Sequence, residues 1–109
     1  MTIKRSEFKE NYPSLSPTLA GTFYDSEPPE DETTARNLRD DLPSESRIRL
    51  ITRLLADSHR LMANIERDWD LLGERANRKI HDSAEGRAWL IRIMVVWQEE
   101  LTRLQSEPI

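Results

Sequence analysis

The sequence predicts an all-α fold, a single-domain bundle of four to five helices over residues 1–109, and three observations carry that prediction. In the stretch from Arg47 to Glu66, Ile48, Leu50, Ile51, Leu54, Leu55, Leu61, Met62 and Ile65 fall on one arc of roughly 160° when wound as a helix. Near the C-terminus, Trp89, Leu90, Ile93, Met94, Val96, Trp97, Leu101 and Leu104 share an arc of similar width, with Ile91 and Val95 outside it. No stretch alternates with period two, so nothing reads as strand.

Taken in order, residues 1–11 read as a frayed, charged entry with a helical turn through Phe8, and 105–109 as a frayed exit. Ser16-Pro17 has the form of an N-cap and first helical position, which predicts a short helix from Pro17 to about Tyr24 packed through Leu15, Leu19 and Phe23. Gly21, in its middle, offers close approach to another helix. Pro28 and Pro29 make a loop, because each forces extended geometry on the residue before it. Asp31 to Asp41 follows as a helix opened by acids, with Ala35, Leu38 and Leu42 inward.

Leu42-Pro43 punctuates before the central helix. Its apolar arc stays in phase to Ile65, yet Asp57, Ser58, His59 and Asn64 compete for backbone hydrogen bonds, so a break near 58–64 with Asn64 capping a new helix is preferred over a continuous rod. Ile65, Trp69 and Leu72 then share a side, and Gly73 is placed to end that helix in left-handed geometry. Asn77 to Asp82 reads as a basic loop. Asp82 with Glu85 three residues on has capping-box spacing, with Ser83 as the alternative cap.

Composition bounds the function. Hydrophobic residues make up 37% of the chain and charged residues 33%, which leaves a thin core and much surface for partners. Without cysteine there can be no disulfide, thiolate zinc site or cysteine nucleophile, as suits a reducing cytoplasm. MTIKRSEFKE holds no apolar run of signal-peptide length, and no membrane-spanning run occurs, so a cytoplasmic protein with no membrane partner is expected.

The net charge of −4 is unevenly placed. Asp25, Glu27, Glu30, Asp31, Glu32, Asp40, Asp41 and Glu45 meet only Arg36 and Arg39 in residues 25–45, a local balance of −6. That stretch repels a phosphate backbone and attracts a basic protein, so direct nucleic-acid binding is disfavoured. An ordinary solvated face is the bland reading.

The search for chemistry is mostly negative. Gly21, Gly73 and Gly86 are too far apart for a phosphate loop, and no G-x-S-x-G, H-E-x-x-H or EF-hand pattern occurs. His81-Asp82 is more commonly an exposed loop histidine beside a helix cap than an acid–base pair. Asp68 and Asp70 flank Trp69 and are expected to face solvent. The reading is therefore of a non-enzyme, with no cofactor and no metal. Trp89 and Trp97, eight residues apart on one face, are core; Trp69 among charges is either core or an interface anchor.

One pattern runs through nearly the whole chain, from about residue 8 to 101. Tyr12-Pro13-x-Leu15 with Leu19, Gly21, Phe23, Tyr24 and Asp25, then Leu42-Pro43 before Leu54-Leu55, then Leu72-Gly73, then Arg87-x-Trp89-Leu90 with Ile93, resembles the small helical immunity proteins of bacterial contact-dependent growth inhibition, the CdiI type. Phe23-Tyr24-Asp25-Ser26 stands where that family often has a His-Gln-Asp-Trp-like cluster. The resemblance implies a cytoplasmic antitoxin that binds the C-terminal toxin domain of a CdiA-type effector, commonly a nuclease. The eight acids and Trp69 are then the candidate toxin-binding residues, with carboxylates standing in for phosphates in a basic cleft. Two other classes stand beside it: a helical adaptor, monomeric or weakly homodimeric through Ile91 and Val95, and a nucleic-acid module using Arg47, Arg49, Arg53, Arg60 and Arg78-Lys79.

Overall fold

The structure, a computed structural model, describes residues 5–106, and these form six α-helices and no strand. They are α1 (Arg5–Asn11), α2 (Leu15–Thr18), α3 (Asp31–Arg36), α4 (Ser44–Ala63), α5 (Ile65–Ala76) and α6 (Ser83–Ser106). The all-α class is as expected, with one helix more because α1 is a helix in its own right. Phe8 is fully buried and its ring lies 4.8 Å from that of Tyr12, so residues 5–11 are pinned rather than frayed. Gln105 and Ser106 are likewise helical. Residues 1–4 and 107–109 lie outside the described part.

The two long amphipathic segments form as their periodicity requires. Ile51, Leu54, Leu55 and Leu61 of α4 pack into one core with Trp89, Leu90, Ile93, Val96 and Trp97 of α6. α6 packs against α3, α4 and α5, which makes it the centre of the molecule. The edge of Phe23 meets both Trp89 and Trp97, at 5.4 and 6.3 Å between ring centres, and closes the core beneath α2. The break between α4 and α5 falls at Asn64, as preferred from the sequence. Its side-chain amide donates to the carbonyl of Arg60 at 2.9 Å, so it serves the end of α4 rather than capping α5 with its side chain.

Four local expectations are corrected. α2 begins at Leu15, not Pro17, and runs on as a π-helical turn (Leu19–Phe23); Ser16 is buried inside it, and its first N–H groups are capped from α4. The Asp57 carboxylate accepts from the backbone N–H of Ser14 and Leu15 at 2.8 and 2.9 Å. α3 stops at Arg36 instead of Asp41, because the chain turns at Asn37 and Arg39 takes a left-handed φ of 48°. Leu38 is still inward, but Leu42 is only half-buried.

Both glycine readings also change. Gly73 lies inside α5, which ends three residues later, where Asn77 supplies the left-handed residue at φ 55°. What needs glycine at 73 is packing: a Cβ there would lie 2.9 Å from the Arg78 carbonyl oxygen and 3.2 Å from Ile80. Gly21, in contrast, has nothing within 4 Å of a built Cβ, so it makes no close approach. Gly73→Ala is therefore expected to lose about 1–2 kcal/mol, overpacking outweighing the gain in helix propensity. Gly21→Ala should be neutral or stabilising by up to about 1 kcal/mol. Urea unfolding of the two variants checks both signs, and equal effects would show that Gly73 is not packed as described.

Candidate acidic interface

Asp31 is the residue that organises the acidic segment, and it does so from inside. It is 1% exposed, although it was expected at the surface among the toxin-binding acids. Its carboxylate takes the Arg78 guanidinium at 2.6 Å and the Trp89 indole N–H at 2.8 Å. Arg78 also donates to the Ser26 carbonyl at 3.0 Å and to the Ala76 and Asn77 carbonyls, so one arginine ties the loop before α3 to the loop before α6. A buried charge pair whose remaining donors are all used is the arrangement in which burial is tolerated. Asp31 is thus a clamp, not a contact for a partner.

The other seven acids are exposed and fall into two groups. Glu32 pairs with Arg92, Asp41 with Arg39 at 3.0 Å, and Glu45 with Arg49 at 3.6 Å. The Arg39 guanidinium holds the Asp41 carboxyl below its ordinary pKa. Asp25, Glu27, Glu30 and Asp40 make no ion pair among the described residues. Three of these four stand on the loop that Asp31 and Arg78 anchor, next to Tyr24, which is 48% exposed. The field that the sequence spread over 25–45 is thereby concentrated at 25–30, with Asp40 as an outlier.

Beside this loop lies a groove of about 1100 Å³ between residues 24–31, the 77–80 loop and the start of α6. Asp31, Arg78 and Trp89 line it together with Tyr24, Pro28 and Lys79. The lining mixes charges of both signs and contains no histidine; His81 lies outside it, held as part of a cap. The Asp82 carboxylate accepts from the Glu85 N–H at 2.8 Å, and Glu85 accepts from the His81 N–H at 2.9 Å. That backbone bond, with the imidazole Nδ1 at 2.8 Å, draws the Glu85 carboxyl below its ordinary pKa. The capping spacing read from the sequence is real, with Asp82 as the cap. No group of three or more His, Asp or Glu side chains among the described residues could hold a metal ion, and no described helix is long and apolar enough to cross a membrane.

Trp69 is partly buried against Gly86, whose built Cβ would lie 3.1 Å from the tryptophan Cβ. It packs α5 onto α6, which is the core role of the two that the sequence left open. Asp68, expected in solvent, is fully buried: Tyr12 donates its hydroxyl to it at 2.7 Å and Arg67 reaches it at 2.7 Å. Burial, and then the bond to Asp68, pushes the Tyr12 hydroxyl pKa up. Arg47, placed by the sequence among candidate nucleic-acid contacts, is 3% exposed and bonded to Glu100 at 2.9 Å and to the Leu38 carbonyl at 2.9 Å. Arg47 and Arg78 are both consumed inside the fold, which leaves Arg49, Arg53, Arg60 and Lys79 exposed from that basic set.

Fold and surface together define a small helical protein with an anchored, acidic loop and a mixed-charge groove. No protein-family model matches the chain, and neither a curated protein nor a solved structure matches it.

Proposed function

We propose that this chain is a cytoplasmic immunity protein that binds the C-terminal toxin domain of a CdiA-type effector, a nuclease, and blocks its basic cleft. The observation that supports this reading most is the loop 25–30. Asp25, Glu27 and Glu30 are exposed and unpaired among the described residues, on a segment that the Asp31–Arg78 pair holds in place. A backbone segment held in place before binding loses little freedom on association, and its exposed carboxylates steer a basic partner from a distance. The binding set is accordingly narrower than the sequence implied: Asp25, Glu27 and Glu30, with Asp40 contributing field, and without Asp31 or Trp69.

The test is to ask whether the gene immediately upstream encodes a CdiA-type effector, to replace Asp25, Glu27, Glu30 and Asp40 together by lysine, and to measure association with the C-terminal toxin domain of that effector. The association rate should fall by about tenfold or more at low salt, and the deficit should shrink as salt rises, because exposed charges are screened beyond about 10 Å at 0.1 M. Helical content should be unchanged. Full protection of toxin-producing cells by the four-fold variant would sink the acidic plug, and an unvaried protein that binds no such toxin would sink immunity itself.

A further inference from the structure

α6 carries a second pattern on the side away from the core. Its inward residues include Trp89, Leu90, Ile93, Val96, Trp97 and Leu104. Its outward residues at 84, 88, 91, 95, 98, 102 and 105 are Ala, Ala, Ile, Val, Gln, Thr and Gln, and all seven are exposed. The spacing alternates four and three, which is the 3.5-residue repeat of a coiled-coil seam. None of the seven is charged, in a chain with 33% charged residues. Ile91 and Val95, at 44% and 52% exposure, are two of the three large hydrophobics left in solvent among the described residues. Beside them Leu55, Met62 and Met94 form a shallow apolar groove of about 360 Å³ between α4 and α6.

We propose that this seam docks a second copy of the chain, with the two α6 helices antiparallel and centred between Trp89 and Leu90. The side-chain sizes and the flanking charges select this arrangement. In that register Ala84 faces Val95 of the second copy and Ala88 faces its Ile91, and the two-fold axis repeats both layers. Small residues thus oppose large ones in every layer, which is what interdigitation requires. The row bordering the seam reads Glu85, Arg92, Glu99. The same register places Glu85, which also holds the His81 cap, within one helical turn of the second copy's Arg92, twice, so each exposed Arg92 is shared between its own Glu32 and the second copy's Glu85. A parallel pairing would instead set Arg87 against Arg92 of the other copy, a like-charge contact. Residues 84 to 95 span only about 16 Å of helix, so the contact sits at the low end of specific interfaces and the dimer exchanges with monomer. Ala88, Glu85 and Arg92 also line one wall of the groove beside the acidic loop, but no acid of residues 25–30 enters the argument, so this inference does not rest on the toxin reading.

Sedimentation equilibrium on the full chain, from micromolar to near-millimolar concentration, is the test. The average mass should rise from the monomer's 12.8 kDa towards twice that value. Val95→Glu and Ile91→Glu lie on the surface and should keep the circular dichroism of the parent while holding the mass at the monomer value. Arg92→Glu should weaken association, and adding Glu85→Arg should restore it. A mass that stays monomeric throughout overturns the second copy as occupant. Association untouched by Val95→Glu overturns the seam, and failure of the charge exchange to restore pairing in a folded variant overturns the antiparallel register.

Discussion

Asp31→Ala is expected to destabilise the protein by about 3–5 kcal/mol, the cost of leaving a buried charge without its counter-ion. Arg78 would keep its bonds to the carbonyls of Ser26, Ala76 and Asn77, but its charge would be unbalanced at 5% side-chain exposure. The Trp89 indole N–H, which donates to Asp31 at 2.8 Å, would lose its acceptor as well. Against a total stability of order 5–15 kcal/mol for a domain, a loss of that size leaves a large unfolded fraction at body temperature. Asp31→Asn keeps an acceptor for the indole and removes only the charge, so it should cost less. Chemical unfolding of the parent and both variants measures the difference. A loss under 1 kcal/mol for Asp31→Ala would mean that the loop 25–30 is not anchored through this pair, and the preorganised interface built on it would go with it.

How much of this was legible in the sequence depends on the range of the interaction. α4 and α6 could be placed because each repeats its apolar residues at helical spacing over twenty or more positions, and burial follows from that repeat alone. The break at Asn64 and the cap at Asp82 are local hydrogen-bond chemistry, and both were readable. Gly73 misled because a glycine near a helix end most often frees the backbone, whereas here it makes room for the carbonyl of Arg78.

The polar interior was not legible. Asp31 meets Arg78 across 47 positions, Arg47 meets Glu100 across 53, and Tyr12 meets Asp68 across 56. A carboxylate or guanidinium in a helical pattern reads as a solvated residue, and no short-range signal distinguishes the few that find a buried partner. Within the candidate site the consequence is specific. The sequence marked the acidic stretch correctly as acidic, but it counted the clamp that holds the loop as part of the surface, and Arg78 as a contact for nucleic acid. What could have hinted at the exchange is that Asp31 opens a helix one residue after two prolines, at the end of the short turn Pro28–Glu30, a position fixed by the chain around it.

Glu100→Gln is expected to cost about 3 kcal/mol at neutral pH and almost nothing near pH 2, and the argument runs through its proton. Arg103 and then Arg47 bond its carboxylate, at 2.9 Å each, and hold its pKa at about 2 against an ordinary 4.5. Above pH 4.5 the carboxylate is ionised in both folded and unfolded chains, and the full stabilisation is present. As pH falls from 4.5 to 2 the unfolded chain takes up a proton that the folded chain still refuses, so stability declines across that window. Each pH unit removes at most about 1.4 kcal/mol, which sets the ceiling of about 3 kcal/mol for this group. In Glu100→Gln the titrating group is gone and Arg47 is left buried against an amide, so the variant starts less stable and its profile between pH 4.5 and 2 is flatter. Unfolding free energies of parent and variant measured across that range should therefore converge towards the acid end. Parallel profiles, with the gap at pH 2.5 equal to that at pH 7, would show that Glu100 contributes by packing rather than by its charge.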